Sequence, residues 1–325
     1  MVSVVIPVYN SEKTLAQTLN SLSSQTYRLF EAIIVDNGSE DLSMAIAAEF
    51  IADSRFKIIN CPLRGVSNAR NAGIEAAAGE YIFFLDADDQ LDPSALENMA
   101  AVAKREDADL VVPNILRKSK QGDSLIDPDL TDMRIGKDEI PELLREKLPT
   151  YLLHFPFKLY KKELLNQYSI RFDPALSLGE DLIFALDFLE IASCVSCIQK
   201  PLYFYHVGFG GLNTKYRDDL AETKFFLCKR LKKYLVANNK LDEGYYLMLL
   251  RDVFAMVVNE YLARNLKAIP ELLKHPEALE LRNAPKNSKA SMNDRLALFC
   301  IKFRFYRLLY FAAGCWLFMS YRAKF

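Results

Sequence analysis

The chain has 325 residues, of which 51% are hydrophobic, and a formal net charge of −1 at pH 7. It is long enough to bury a full core, and we expect one large domain with a smaller appendage. The balanced overall charge excludes a charge-based argument for nucleic-acid binding. From Arg282 to the end, however, nine basic residues stand against one acidic residue, a net of +8, which leaves −9 (−1 − 8) for the preceding part. The basic C-terminal segment is a candidate for contact with an anionic surface.

The cysteines lie in apolar surroundings and are expected to be small buried side chains in a reducing compartment. Cys194 and Cys197 form one C-x-x-C pair, but no second pair accompanies it and the chain has only three histidines, which argues against a zinc site. The N-terminus enters a strand pattern at once, without the basic and apolar regions of a signal peptide, so we expect a cytoplasmic protein.

The first 112 residues alternate between strand and helix patterns. An apolar run from Val2 to Ile6 predicts the first strand, which we expect Pro7 to end because proline has no N–H for a ladder bond. Strands and helices that alternate with short connections predict an α/β fold with a parallel, doubly wound sheet. The further predicted strands are Phe30–Val35, Phe56–Ile59, Tyr81–Leu85 and Asp109–Val112, and the predicted helices include Asp41–Phe50 and Pro93–Arg105.

The main functional signal is the stretch Tyr81–Asp89. Its apolar first half predicts a buried strand, and Asp86 and Asp88 follow at the C-terminal end, where open α/β sheets bind their ligands. Carboxylates this close repel one another unless a cation or a hydrogen-bond donor compensates, so they indicate a divalent metal shared with a phosphate. A polar turn leading to a helix opened by Asp92 and Pro93 explains this motif equally well when it is taken alone.

Polar residues also follow two neighbouring predicted strands. Val8-Tyr9-Asn10 comes after the first strand and Asp36 ends the second, so together with Asp86-Ala87-Asp88 they predict a nucleotide crevice at one sheet edge. Neither of the two usual glycine-rich phosphate loops occurs in the sequence. The sequence therefore predicts that phosphate is bound through a metal and cationic side chains.

The second half of the chain carries weaker signals. Glu180 and Asp181 open an amphipathic helix, where acids also complement the helix dipole without any catalytic role. Lys200–His206 predicts an aromatic strand, Val207–Asn213 a glycine-rich loop, and Leu220–Asn238 and Gly244–Arg264 two helices.

The last segment, Leu296 to Phe325, is apolar and aromatic but carries Lys302, Arg304 and Arg307. Its uninterrupted apolar run from Leu308 to Tyr321 has 14 residues, fewer than the roughly 20 that a spanning helix needs. We expect it to lie on a membrane surface, and a helix docked on protein is the alternative.

These motifs resemble the family 2 glycosyltransferases of the GT-A fold. The resemblance is dense over about the first 110 residues and thinner through Lys158-Leu159-Tyr160, Gly179-Glu180-Asp181 and Tyr203–His206. It implies a catalytic domain at 1–215, with a nucleotide-sugar half at 1–112 and an acceptor half at 113–215, followed by a helical region at 216–325. The motifs that carry it are Ser3–Asn10, Ile33–Ser39, Ala69–Gly73 and Phe84–Asp89.

The resemblance assigns the donor site to the strand ends. Pro7 and Tyr9, with Val8 between them, would frame the base of the nucleotide, and Asp36 would accept a hydrogen bond from uracil or thymine. Asp86 and the adjacent Ala87 would contact the ribose. The resemblance further assigns Asp88 as the ligand of Mg²⁺ or Mn²⁺ on the diphosphate.

The resemblance also assigns the reacting groups. Arg70 would stabilise the departing diphosphate beside the metal. Asp181 would act as general base toward the acceptor hydroxyl, and Glu180 either positions the acceptor or caps the helix. His206 lies near the diphosphate or is a structural histidine, and Lys158 lies in the acceptor cleft or is a solvated surface lysine.

The activity implied is that of an inverting glycosyltransferase. The donor would be a nucleotide-diphosphate sugar, with UDP favoured, and the acceptor a lipid-linked or growing glycan of a surface polysaccharide at the inner face of the cytoplasmic membrane. A metal-dependent nucleotidyltransferase and a non-catalytic scaffold that binds a nucleotide sugar are the alternatives. Two positions depart from the family pattern: Asn37, where many relatives have a second aspartate, and Phe157, where an asparagine often precedes the lysine.

Overall fold

The computed structural model describes residues 1–120, 122–147, 155–176, 178–207, 217–285, 290–305 and 307–313. The chain forms two compact units, one of Met1–Leu143 with Thr150–Gly211 and one of Leu144–Pro149 with Leu212–Phe325. The predicted domain boundary after residue 215 and the predicted glycine-rich loop from residue 208 onward lie outside the described residues.

Strands and helices alternate in the first unit, which confirms the α/β class. The first half contains β1 (Val2–Val8), α1 (Leu15–Ser23), β2 (Phe30–Asp36), α2 (Ser43–Ala48), β3 (Phe56–Asn60), α3 (Val66–Ala76), β4 (Tyr81–Phe84), β5 (Gln90–Leu91), α4 (Ala95–Glu106) and β6 (Leu110–Lys118). The chain continues with β7 (Ser124–Leu125), β8 (Met133–Gly136), α5 (Ile140–Lys147), β9 (Leu159–Lys161), α6 (Lys162–Gln167), α7 (Glu180–Ile191) and β10 (Cys194–His206).

The ten strands in the described part of the chain belong to one sheet, whose main path has the order β3-β2-β1-β4-β9-β6-β10-β5. The first four of these strands are parallel, as predicted, and β6 and β10 form a second parallel pair. Between the two groups, β9 runs antiparallel to both β4 and β6. The carboxyl ends of β3, β2, β1 and β4 therefore meet at one edge, and the predicted donor residues follow them there.

The expectation that Pro7 ends the first strand is wrong, because β1 continues to Val8 and Pro7 lies opposite Val35 of β2. The hydrogen bonds of β1 alternate between its neighbours: the Val8 carbonyl accepts from Asn37 beyond β2, and the Val5 carbonyl accepts from Leu85 beyond β4. Pro7, two residues after Val5, faces the β4 side, where β4 has already ended. Its missing N–H therefore costs no ladder bond.

Helix α3 packs unusually close to β1. A Cβ added at Gly73 would lie 2.1 Å from Cγ1 of Val5, so only glycine fits at this crossing. The helix begins after Gly65, which has a φ of +116°. This close approach fixes Arg70, one turn before Gly73, at the carboxyl edge of the sheet.

The second unit is helical, as predicted. The helices predicted from Leu220 and Gly244 are confirmed, and residues 307–313 are also helical. Among the described helices, none is long and apolar enough to cross a membrane, and the predicted apolar run is described only as far as residue 313. The helices of this unit are α8 (Leu220–Ala237), α9 (Glu243–Leu262), α10 (Ala268–Leu272), α11 (Pro276–Glu280) and α12 (Met292–Lys302).

The cysteines match their predicted character. Five of them lie in the described part of the chain, where each is buried and none forms a disulfide. Those five are Cys61, Cys194, Cys197, Cys228 and Cys300.

Candidate active site

The predicted base-binding residues follow β1 and β2. Tyr9 is 50% exposed just beyond β1, whereas Val8 is fully buried and Pro7 is partly buried. Asp36, the last residue of β2, accepts a hydrogen bond from the Ser39 N–H at 2.9 Å through Oδ1. An exposed aromatic ring and a carboxylate thus occupy neighbouring strand ends.

Arg70 is the electrostatic centre of the site. Its guanidinium donates to Oδ1 of Asp181 at 2.5 Å, to Oε1 of Glu180 at 3.2 Å and to Oδ1 of Asp86 at 3.1 Å. Arg70 is only 3% exposed and lies over the ring of Phe172, 5.1 Å from its centroid. Burial alone would lower the pKa of Arg70, but the three carboxylates raise it, so the side chain stays charged. It ties the turn after β4 to the first turn of α7.

Asp181, the predicted base, combines partial burial with a raised pKa. Burial raises its pKa to about 7, Glu180 and Asp86 add to the shift by charge repulsion, and Arg70 and Lys158 oppose it. A general base works best when its pKa is near the working pH. Near neutral pH, Asp181 therefore exchanges between its protonated form and the carboxylate that can accept a proton.

Lys158 is not a surface residue, so the interpretation as a solvated lysine is wrong. It directly precedes β9, is 1% exposed, and donates a hydrogen bond from Nζ to the carbonyl of Phe155. Burial lowers the pKa of Lys158 to about 7, and the nearby Asp181 opposes that shift. Its positive charge in turn opposes the rise of the pKa of Asp181.

Asp88 and Asp89 follow β4 in different environments. Asp89 is 1% exposed and accepts from the Tyr203 hydroxyl at 2.6 Å and from the His206 N–H at 2.8 Å, so it joins this turn to the end of β10. Burial and the charge of Asp86 raise the pKa of Asp89 to about 8. Burial and Asp86 likewise raise the pKa of the partly buried Asp88, to about 6.

His206 ends β10 beside Asp89. Its Nδ1 lies 3.9 Å from Oδ1 of Asp89 and has no hydrogen-bond partner among the described residues. Burial, followed by the charge of Lys118, lowers the pKa of His206. The structure thus brings His206 to the acidic turn, where both predicted interpretations, diphosphate contact and structural support, remain open to it.

The acidic turn fits a dication that is shared with a phosphate. In the described part of the chain, no three His, Cys, Asp or Glu side chains gather closely enough to hold a metal by themselves. Asp86 and Asp88 instead present hard oxygen donors, and burial together with the charge of Asp86 raises the pKa of Asp88, a cost that a nearby cation would offset. One or two carboxylates that complete their shell with phosphate oxygens and water are typical ligands of Mg²⁺.

Sequence reasoning missed the role of Asn37. This residue is 5% exposed, donates from its amide to the carbonyl of Leu63 at 2.8 Å and accepts from the Gly65 N–H at 2.7 Å. It therefore holds the loop after β3 at two points. The departure from aspartate at this position was the available signal, since an amide both donates and accepts whereas an ionised carboxylate only accepts.

The likeness to known proteins agrees with this geometry. The sequence model of glycosyl transferase family 2 matches residues 3–169. EpsH of Bacillus subtilis (strain 168), named as a glycosyltransferase, is 33% identical over 248 residues, covering 74% of this chain and 71% of EpsH. The succinoglycan biosynthesis protein ExoO of Rhizobium meliloti (strain 1021) is 29% identical over 230 residues, covering 67% of this chain and 64% of ExoO.

The fold is shared with a solved structure. The crystal structure of Staphylococcus aureus TarS 1–349 in complex with UDP-GlcNAc aligns with a TM-score of 0.69 at 20% identity, covering 99% of this chain and 91% of that chain. The family model extends across the donor-site strands and their four motifs, and the EpsH match covers 74% of the chain. The chain therefore belongs to glycosyltransferase family 2.

Proposed function

We propose that this glycosyltransferase transfers a sugar, with inversion and with a divalent metal, from a UDP-sugar to a hydroxyl of a lipid-linked or growing surface polysaccharide. The observation that carries the proposal is the bridge of Arg70 between Asp86 and Asp181. It places a predicted donor contact and the partly buried candidate base on one cation, so that both stand beside the same reacting centre. The names of ExoO and TarS, the latter a poly(ribitol-phosphate) β-N-acetylglucosaminyltransferase, support a bacterial polysaccharide product. The TarS complexes with UDP-GlcNAc and UDP support a UDP-sugar donor.

Residues at the carboxyl ends of β1, β2 and β4 would each bind a different part of the donor. Tyr9 offers a ring for the base, Asp36 a hydrogen-bond acceptor, and Asp86 a carboxylate for the ribose. Asp88 would hold Mg²⁺ or Mn²⁺, which when bound neutralises charge that develops on the departing diphosphate. His206, whose Nδ1 makes no hydrogen bond to any described residue, would contact the diphosphate from the same turn.

The transfer step would depend on Asp181. The ionised Asp181 removes the proton from the acceptor hydroxyl as that oxygen attacks the anomeric carbon, and the bond to the diphosphate breaks on the opposite face. A single displacement of this kind inverts the anomeric configuration. Arg70 and Lys158 keep the carboxylate available despite its burial, since both oppose the rise of its pKa.

The acceptor would be reached at a membrane surface. Helix α12 and Phe303, the residue that follows it, carry four strongly exposed apolar side chains at the spacing of a single helix face. Lys302, Arg304 and Arg307 supply positive charge for anionic headgroups. The exposed apolar residues are Met292 (84%), Leu296 (45%), Phe299 (47%) and Phe303 (61%).

A thermal-shift screen tests the donor site. We expect UDP to raise the melting temperature only in the presence of Mn²⁺ or Mg²⁺, with smaller shifts for GDP and TDP, because ligand bound to the folded state alone stabilises it. Asp88→Asn should remove most of the shift that UDP causes in the presence of metal. Glu163→Gln, a substitution in the first turn of α6 outside the site, is the matched control. If the Asp88 variant kept the full metal-dependent shift, the proposed metal ligand would be wrong.

Vesicle flotation tests the membrane contact. Wild-type protein should float with vesicles that contain phosphatidylglycerol, and the double variant Leu296→Ser, Phe299→Ser should bind them about tenfold more weakly, since each side chain loses apolar burial. Leu29→Ser with Leu42→Ser, which changes residues 67% and 65% exposed in the first unit, is the control and should float like wild type. Equal loss in both variants would contradict a docking face on α12.

A further inference from the structure

The loop after β3 is held by several hydrogen bonds, and it carries the largely exposed Arg64 at its tip. The Cys61 N–H donates to the carbonyl of Asp36 at 2.8 Å, and Asn37 holds Leu63 and Gly65. Asn68 then donates to the carbonyl of Arg64 at 2.9 Å, so the backbone on both sides of Arg64 is fixed. The loop therefore presents Arg64 at a defined place.

The Arg64 side chain lies across the predicted base site. Its guanidinium donates to the Tyr9 hydroxyl at 3.3 Å and lies over the Tyr9 ring, 5.6 Å from the centroid. It also pairs with Glu40 at 3.0 Å and passes 3.7 Å from the place of a Cβ on Gly38. Arg64 and Glu40 are both largely exposed, and an exposed pair of this kind contributes little stability. The guanidinium can therefore leave Glu40 at small cost when a ligand arrives.

The strand order separates Arg64 from the diphosphate end of the site. The contacts described above join it to residues that follow β1 and β2, whereas Arg70 is the arginine bonded to Asp86 after β4. In the order β3-β2-β1-β4, the strand that leads to Arg64 stands three strand spacings, roughly 14 Å, from the strand that leads to Asp88. Of these two arginines, Arg64 stands at the base end of the crevice.

We propose that Arg64, held in place by Asn37, is a specificity-determining residue that reads the donor base as uracil. This inference rests on the proposed UDP-sugar site and adds a residue to it. Uracil presents an imide N–H between two carbonyl oxygens. Asp36 accepts from the N–H, and Arg64 donates to the adjacent carbonyl at the edge of the base.

Cytosine distinguishes this role from general attraction of an anion. It has the size and phosphates of the uracil nucleotide, but its ring nitrogen is an acceptor and its amino group is a donor at the position that faces Arg64. With cytosine, the carboxylate of Asp36 would therefore face another acceptor, and the guanidinium of Arg64 would face another donor. Arg64 should therefore favour UDP over CDP and leave inorganic diphosphate unaffected.

The experiment measures dissociation constants of UDP, CDP and inorganic diphosphate by calorimetry on the full chain with Mn²⁺. We expect Arg64→Gln to raise the dissociation constant of UDP about tenfold and to change those of CDP and diphosphate little. Most of the preference for UDP over CDP should therefore be lost. Asn37→Asp keeps the size and the acceptor but cannot donate to the Leu63 carbonyl, and it should lower the same ratio. Arg105→Gln, which changes an arginine 65% exposed in its pair with Glu106, is the control and should behave like wild type.

The outcomes separate the inference from the function on which it rests. An equal loss of UDP, CDP and diphosphate in Arg64→Gln would make Arg64 a phosphate contact and overturn the proposal, as would an unchanged UDP to CDP ratio. Failure of the wild-type chain to bind any of the three ligands would instead contradict the proposed donor site. A reduced ratio in Arg64→Gln with an unchanged ratio in Asn37→Asp would refute the part assigned to Asn37.

Discussion

Replacement of Asp181 by asparagine is expected to lower kcat about 10²–10⁴-fold, the usual contribution of a general base. The amide keeps the size of the side chain but cannot take a proton from the acceptor hydroxyl. Affinity for UDP should not change, because Asp181 lies in the first turn of α7 and Arg70 still has Asp86 and Glu180 as partners. The measurement is release of UDP from the donor that stabilises the chain, with glycan lipid extracted from membranes as acceptor.

Glu180→Gln is the matched control, since it changes the adjacent acid on the same turn. Glu180 raises the pKa of Asp181 by repulsion, so its removal should lower that pKa and extend activity to more acidic solutions. In the wild-type enzyme, the rate should rise with pH through about 7, because only the carboxylate form of Asp181 is active. If Glu180→Gln were inactive and Asp181→Asn active, the base would be Glu180. Full activity of Asp181→Asn with release of pyrophosphate would favour the nucleotidyltransferase alternative.

The donor half of the site was predictable because its signals are local. A buried apolar run followed by carboxylates identifies a strand and its carboxyl end, and the parallel order of β1, β2 and β4 then brings Tyr9, Asp36 and Asp86 to one edge. The error at Pro7 has the same origin. The sequence pattern of β1 does not show where the adjacent strands end. Whether the missing N–H of Pro7 costs a hydrogen bond depends on that, and here β4 ends before it reaches Pro7.

The acceptor half was less predictable because its contacts join distant parts of the chain. Arg70 meets Glu180 and Asp181, which lie 110 and 111 residues further on, and no periodicity connects them. The sequence placed Arg70 beside the diphosphate by resemblance, and that role stays a prediction. The sequence also left two interpretations of Lys158, since a lone lysine is usually solvated. It is buried because it directly precedes β9, which lies between two other strands of the sheet.

Loss of Arg70 is expected to be the most damaging single change to the first unit. Arg70→Met keeps much of the side-chain volume but leaves Asp86, Glu180 and Asp181 without their shared cation, and removal of one partner from a buried ionic cluster typically costs about 3–5 kcal/mol. Arg70→Lys keeps the charge, yet one ammonium group lacks the planar fork that now bonds three carboxylates, so it should fall between wild type and Arg70→Met. Transfer activity should be lost in Arg70→Met because the base is no longer held.

The defect of Arg70→Met should depend on pH in a defined direction. Arg70 opposes the rise of the Asp181 pKa, so without it that pKa rises further above the unfolded value, and the folded state binds more protons than the unfolded chain. Stability then falls as pH rises through the folded pKa, so the melting temperature of the variant should approach that of wild type near pH 5 and fall furthest behind above pH 7. Arg70→Met combined with Glu180→Gln should recover part of the loss, since one of the repelling charges is gone. Arg105→Met, which breaks a largely exposed pair, should show no such trend, and a loss of equal size at every pH in Arg70→Met would point to lost packing against Phe172 instead of lost charge compensation.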